Sequence, residues 1–345
     1  MRSRRVTITD IARVAGVAPS TVSRALNGKA RIGEATRRRI LRLAARREYR
    51  RDGLARGLVL RRSHTIGLII PNIRNPIYAE MARGIEDVAR GHGFTAFFLS
   101  TDDDGGTARH AIETLCERRV DGIIYASART GDPCLRLLAR AGVPAVLMNR
   151  VDLRDPHRSG RDCVVVDNAR GGFMGVEHLV GLGHRRIGVI AGRRDLSTGA
   201  GRLGGVRRAL RRFGIAADPQ LVVPGEFRRD ASYAACQRLL KLPRRPTAIF
   251  ALNDDMAVGA YEAIVQAGLR VPGDIALLGF GNSDLTSVAG VEISTIDLRK
   301  YEIGRASVEI LVDRIEGRPP KAPRQVVLEP RLVVRRSTAG AAEGR

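Results

Sequence analysis

Residues 7–28, TITDIARVAGVAPSTVSRALNG, decide how the front of this chain folds. Thr7-Ile8-Thr9-Asp10 has the Ser/Thr-x-x-Asp/Glu form of a capping box, and it precedes the apolar spacing Ile8, Ile11, Ala12, Ala15. That pattern predicts a helix ending at Gly16, a residue that accepts the left-handed conformation of a helix C-terminus. Pro19 suits the first turn of a second helix, which runs to about Asn27-Gly28 with Val22 and Leu26 on one face. A third helix, from about Gly33 to Arg47, turns Ile40, Leu41, Leu43 and Ala44 inward and its arginines outward. Helix, tight glycine turn, helix, helix is helix-turn-helix geometry, whose second helix enters a DNA major groove.

Charge agrees with this. The chain has 59 Lys+Arg against 36 Asp+Glu, a net +23, and residues 1–62 alone hold 18 basic against 4 acidic residues. Most of the excess therefore lies in less than a fifth of the chain, as expected of a polyanion-binding module. Only four of the 59 are lysine, so part of the arginine excess reflects composition rather than chemistry.

The run from Thr9 to Gly28 closely resembles the DNA-binding head of the lac repressor and galactose repressor family. About twenty consecutive positions agree in residue class; a departure is Ala18, where the family usually has a serine that caps the second helix. The resemblance implies that Pro19, Ser20 and Arg24 face base edges, arginine on guanine being the commonest specific contact. Thr7, Thr21, Ser23, Asn27 and Arg31 are expected on phosphates. Residues 49–62 correspond to a minor-groove hinge helix, with Tyr49, Ala55, Arg56 and Leu58 retained and Leu58 as the wedge between bases. Arg51, Asp52, Gly53 and Gly57 depart from that pattern, and each interior glycine costs a helix about 1 kcal/mol.

From residue 64 short β-branched runs alternate with amphipathic segments: HTIGLII, FTAFFLS, DGIIYA, PAVLMN, CVVVD, RIGVIA, TAIFAL and IALLGF, with helical patterns between. Continuous apolar strands separated by helices predict parallel sheets covered on both faces. Ile66-Gly67-Leu68-Ile69 returns as Ile187-Gly188-Val189-Ile190, 121 residues later. The fold class expected is thus an all-α helix-turn-helix head plus an α/β body of two doubly wound parallel-sheet lobes, resembling periplasmic sugar-binding proteins. The expected divisions are a head over 1–62 and a body over 63–336. Within the body, a first lobe takes 63–161 plus 293–322 and a second takes 162–290 plus 323–336; residues 337–345 form a frayed tail.

Matching segments in the family, the purine repressor branch above all, imply the cleft residues. On the second lobe they are Asp167, Thr198, Arg202, Phe227, Asn253, Asp254 and Asn282; on the first, Asn72, Asn75, Ile77, Tyr78, Asn149 and Arg150. Arg202 is the planar fork for a carboxylate, phosphate or vicinal hydroxyls, and Phe227 the stacking ring. Gly281 stands where many relatives have a ligand-binding aspartate, which tilts the expectation from purine corepressor to sugar-like inducer. The partners implied are a near-palindromic operator, a small-molecule effector and a second copy of the chain.

Other functions fare worse. Gly199-Ala200-Gly201-Arg202-Leu203-Gly204 is a literal GxGxxG with Glu226 about twenty residues on, the form of an NAD-type dehydrogenase fingerprint. Seven residues, however, intervene between the expected strand end near Ala191 and its first glycine, which should stand at that end. Four cysteines at 116, 134, 163 and 236 form no CxxC pair, and the histidine and aspartate spacings fit no metal site, so no cofactor or metal is expected. No apolar run approaches the roughly 18 residues of a membrane span. Without an apolar leader, a periplasmic solute receptor is disfavoured and the cytoplasm expected.

Overall fold

A computed structural model of the chain describes residues 6–26, 32–47, 49, 62–154, 160–318 and 322–339. It separates into two units, Met1–Ser63 and His64–Arg345.

In the first unit α1 (Ile8–Ala15) opens on a complete capping box: Thr7 Oγ1 accepts from the Asp10 N–H at 3.3 Å and Asp10 Oδ2 accepts from the Thr7 N–H at 2.9 Å. The helix ends on Gly16 at φ 62°, where glycine has no Cβ to strain. α2 (Pro19–Leu26) and α3 (Glu34–Arg46) complete the trio around Ile11, Ala12, Ala15, Val22, Ala25 and Ile40, all buried. Two expectations shift. Leu26 only borders this core while Ala25 fills it, and Leu41 is 41% exposed, because Ile40 and Ala44 already cover the inward stripe of α3. Tyr49, expected to begin a hinge, packs on this core instead, its N–H bonded to the Ala44 carbonyl at 2.9 Å.

The second unit contains two six-stranded sheets in the same order. The first is β11-β5-β4-β3-β1-β2, comprising Gln325–Leu328, Asp162–Val166, Ala145–Met148, Gly122–Tyr125, Thr65–Ile70 and Thr95–Ser100. The second is β12-β10-β9-β8-β6-β7, comprising Arg331–Val333, Ser294–Asp297, Ala276–Gly281, Ala248–Ala251, Ile187–Ala191 and Val222–Pro224. All pairings are parallel except β10 with β12. The internal repeat has a packing cause. Gly67 in β1 lies under Leu115, and its counterpart Gly188 in β6 lies under Leu239, so each strand omits a side chain where a helix presses closest.

Helices α4 (Ile77–Gly91), α5 (Gly105–Glu117), α6 (Cys134–Arg140) and α11 (Lys300–Ile315) cover the first sheet. α7 (Asn168–Gly181), α8 (Ser197–Arg212), α9 (Arg229–Leu240) and α10 (Asp254–Gln266) cover the second. The expected lobe limits need correction. β5 and β11 belong to the first sheet and β10 to the second, so the chain crosses between lobes near Asp167, Leu298-Arg299 and Glu329-Pro330. The expected tail is also corrected at its start. Ser337 and Thr338 are buried: Ser337 Oγ donates to the Leu277 carbonyl at 2.6 Å, and Thr338 Oγ1 lies 2.6 Å from Ser294 Oγ.

Candidate functional site

Two surfaces hold the residues singled out by sequence. On the head, Pro19, Ser20 and Arg24 are exposed along α2, while Thr21 and Ser23 are half-buried beside them. Arg24 reaches back, its Nε–H donating to the Ser20 carbonyl at 3.3 Å. Val22 and Ala25 fix the helix from beneath, leaving these side chains outward. Thr7 is exposed and engaged in its cap. Asn27, Arg31, Ala55, Arg56 and Leu58 lie outside the described residues.

On the body, the strand ends of both sheets meet around a cavity. The first lobe contributes Asn75, Pro76, Ile77 and Tyr78 at the start of α4, with Asn149 and Arg150 after β4. The second contributes Thr198 and Arg202 on α8, Phe227 after β7, Asn253, Asp254 and Asp255 at α10, and Phe280 and Ser283 around the end of β9. Leu298, at a crossing, closes one side.

Arg202 is the centre of this wall. Its Nε–H donates to Asn168 Oδ1 at 2.8 Å and Nη1–H to the Leu252 carbonyl at 2.7 Å, while the guanidinium lies 4.0 Å from the Phe280 ring centroid and 5.7 Å from that of Phe227. Burial pulls its pKa down to about 9, against the attraction of the Asp254 carboxylate. Asp254 is itself raised above the usual carboxylate range by burial, although it accepts from the Ser283 N–H at 2.6 Å and the Thr295 hydroxyl at 2.7 Å. Asn253 is partly spent on structure: its Oδ1 caps α10 by accepting from the Met256 N–H at 2.9 Å.

Opposite, Asn149 sits at φ 64° and donates from Nδ2 to the Tyr78 hydroxyl at 3.3 Å. Burial raises the Tyr78 pKa, so this hydroxyl stays protonated. Arg150 is paired with Asp103. Among the described residues three buried side-chain polar atoms have no well-formed hydrogen bond: Asn149 Oδ1, Ser283 Oγ and His184 Nε2. The first two lie on this cavity, one on each lobe.

Three expected residues are not on the wall. Asp167 is exposed at a lobe crossing, where its carboxylate caps α7 by accepting from the Arg170 N–H at 2.8 Å. Asn72 Oδ1 accepts from the Arg74 N–H at 2.9 Å within its own turn. Asn282 turns its Oδ1 to Arg335 at 2.7 Å. Conversely, sequence reading missed Pro76, Asp255, Phe280, Ser283 and Leu298. Phe280 lies in an apolar strand whose reading says only "core", and Ser283 is distinguishable from Asn282 only by which way each side chain leaves the strand end.

The GxGxxG run is not a phosphate loop. Gly199–Gly204 lies wholly inside α8, and a Cβ on Gly199 would stand 1.9 Å from the Arg193 carbonyl oxygen. The neighbouring Gly205 and Gly172 play the same part at the crossing of α7 and α8. Gly172, Gly201 and Gly205 serve close helix packing, and Gly199 admits the connection that precedes α8.

An exposed polar recognition helix on a basic head and a two-lobed α/β body closed around a cavity of mixed polar and apolar lining define a ligand-controlled DNA-binding regulator. Residues 7–52 match the lacI family of bacterial regulatory proteins and residues 176–338 a periplasmic binding protein-like domain. The chain is 34% identical to the ribose operon repressor of Escherichia coli strain K12, covering 96% of this chain and 99% of that one. It is 31% identical to the HTH-type transcriptional repressor PurR of Aliivibrio salmonicida, covering 96% and 98%. The lac repressor dimer bound to operator and the anti-inducer ONPF superposes with a TM-score of 0.88 at 26% identity, covering 97% of this chain and 99% of that one. The chain belongs to the LacI family of bacterial transcriptional repressors.

Proposed function

We propose that this repressor acts in the cytoplasm as a homodimer on a near-palindromic operator, and that a neutral, polyhydroxylated effector of the sugar class releases it. The observation that carries the effector class is the pair of buried atoms without a well-formed hydrogen bond, Asn149 Oδ1 and Ser283 Oγ, one on each lobe, the Ser283 hydroxyl having only the Asp254 carboxylate beside it. A buried polar atom left unpaired costs roughly 1–3 kcal/mol. A ligand with hydroxyls both donates and accepts, so one such molecule satisfies both lobes and gains only when they are closed. Arg202 with Phe227 and Phe280 supplies the apolar and hydrogen-bonding face against which a sugar ring packs. Gly281 supports the same reading: its φ is 146° and a Cβ there would stand 2.9 Å from Asp254 Oδ2, so no side chain enters the cavity from that position. On the head, Arg24 and Ser20 are the base readers, and Thr7, Thr21 and Ser23 hold phosphates.

The test is fluorescence anisotropy of the purified protein on DNA from upstream of its own coding region, with ribose, other pentoses, hexoses, polyols and purines. Binding should weaken with salt, light scattering should give two chains per operator, and a sugar should release it. Arg24→Ala should cost the operator about 1–3 kcal/mol more than random DNA, and Arg202→Ala should remove the sugar response while leaving sugar-free binding intact. A purine that tightens binding, or a sugar response unchanged in Arg202→Ala, overturns the effector assignment.

A further inference from the structure

Away from the interlobe cavity, the second lobe has a groove of about 680 Å³, lined by Arg185, Arg186, Arg194, Arg207 and Arg244 with Asp218 as its sole acid. It lies where α8 runs out past Arg207 into the connection to β7, beside the entry to β6. Its volume is in the range of roughly 300–1,000 Å³ typical of small-molecule sites.

What marks this groove is the gathering of its arginines on one concave surface, since Arg211, Arg212 and Arg238 of the same lobe also have no acidic partner among the described residues, whereas other arginines are neutralised. Arg193, Arg228, Arg229 and Arg270 each pair with a nearby carboxylate. In the groove Arg186 takes Asp218 at 3.1 Å, whereas Arg194, Arg207 and Arg244 have no acidic partner among the described residues. Asp218 is further committed to the Gln220 N–H at 2.9 Å. Like charges gathered in a concave surface raise the local concentration of counter-anions. Guanidinium groups hold phosphate oxygens in bidentate geometry, which sets phosphates apart from simple anions. The floor is different in kind: Leu210 and Leu221 are buried and Ile215 and Val222 half-buried, an apolar strip beneath the charged rim. A bare phosphate has no use for such a strip.

We infer that this groove is a second ligand site, independent of the interlobe cavity, that takes a nucleoside polyphosphate with its base on the apolar floor and its phosphates on Arg194, Arg207 and Arg244.

Calorimetric titration of the full chain with ATP, tripolyphosphate and adenosine tests this. ATP is expected to bind, tripolyphosphate at least fivefold more weakly, and adenosine without measurable heat. R207Q/R244Q should weaken ATP binding at least tenfold, R194E, on a different segment, should also weaken it, and R202A should leave it unchanged. Because all three substituted groove arginines are exposed, their replacement leaves the core intact, and two separate variants guard against a folding defect in one. Absence of ATP binding overturns the site, as does an ATP affinity unchanged from the parent's in both groove variants, which would place the nucleotide on the basic head. Loss of ATP binding in R202A would place it in the interlobe cavity. Tripolyphosphate binding as tightly as ATP overturns the role of the floor and with it the nucleoside assignment.

Discussion

Gly281 decides more of the cavity than its size suggests. At φ 146° it occupies backbone space that side chains rarely enter, and a Cβ would meet Asp254 Oδ2 at 2.9 Å. Gly281→Ala should therefore destabilise the body by about 1–3 kcal/mol, the usual cost of a residue held in a sparsely populated region. Urea unfolding followed by circular dichroism reads this directly, and an unchanged midpoint would mean that the backbone does not hold this conformation. The same scale shows where the family resemblance carries over. Arg202, Phe227, Asn149 and Tyr78 reach the cavity, as the matching segments implied. Asp167, Asn72 and Asn282 are equally polar and equally near strand ends, yet each spends its acceptor on a local partner: a helix cap, a turn and Arg335. Residue type does not tell a helix-capping oxygen from one that faces a ligand; only side-chain direction does.

Helices carry the clearest lesson at the next scale. The three helices of the head were legible within the described residues, because capping box, C-terminal glycine and apolar spacing all agree locally in α1, and Gly16 takes the φ of 62° its position asks for. α8 was legible as a helix too, but its glycines were ambiguous, since GxGxxG spells a phosphate turn in one context and a packing seam in another. A pair of substitutions separates the meanings. Gly199→Ala puts a methyl 1.9 Å from a backbone oxygen and should destabilise the second lobe by about 1–3 kcal/mol, as overpacking does. Gly204 is exposed with nothing within 4 Å of its would-be Cβ, so Gly204→Ala should be neutral or stabilising by up to about 1 kcal/mol, because alanine is the better helix former. Thermal melts of both variants give the comparison, and a stability loss at Gly204 matching that at Gly199 would refute the packing account.

Across the whole body, the chain changes lobe three times, and strand pattern cannot say which sheet a strand joins. CVVV in β5 and STI in β10 are buried, and burial alone fits either sheet, so their places became known only through pairing, β5 with β4 and β10 with β9. An apolar cluster includes residues of both lobes, and a few polar links are added to it across the cleft. The lobes meet where the Thr130 N–H and hydroxyl donate to the Asp195 carbonyl at 3.1 and 2.8 Å, and where the Val151 N–H donates to Ser197 Oγ at 3.0 Å. Near the crossings Lys300, buried, links Glu80 of the first lobe at 2.8 Å with the Asn282 carbonyl of the second. A neutral hydrogen bond contributes about 0.5–1.5 kcal/mol net. Removing the Thr130 hydroxyl and the Ser197 acceptor together should then shift the balance between open and closed lobes by about 1–3 kcal/mol. Neither side chain is proposed to touch the effector, so the double variant Thr130→Val/Ser197→Ala leaves the binding surfaces in place and lowers only the closed fraction. Apparent affinity falls by that fraction. Small-angle scattering of the ligand-free variant should accordingly show a larger radius of gyration than the parent. The sugar identified by the anisotropy screen should bind more weakly yet, at saturation, return the variant to the parent's closed dimensions. Unchanged dimensions in the ligand-free variant would show that Lys300 and the cavity walls hold the lobes together without this latch.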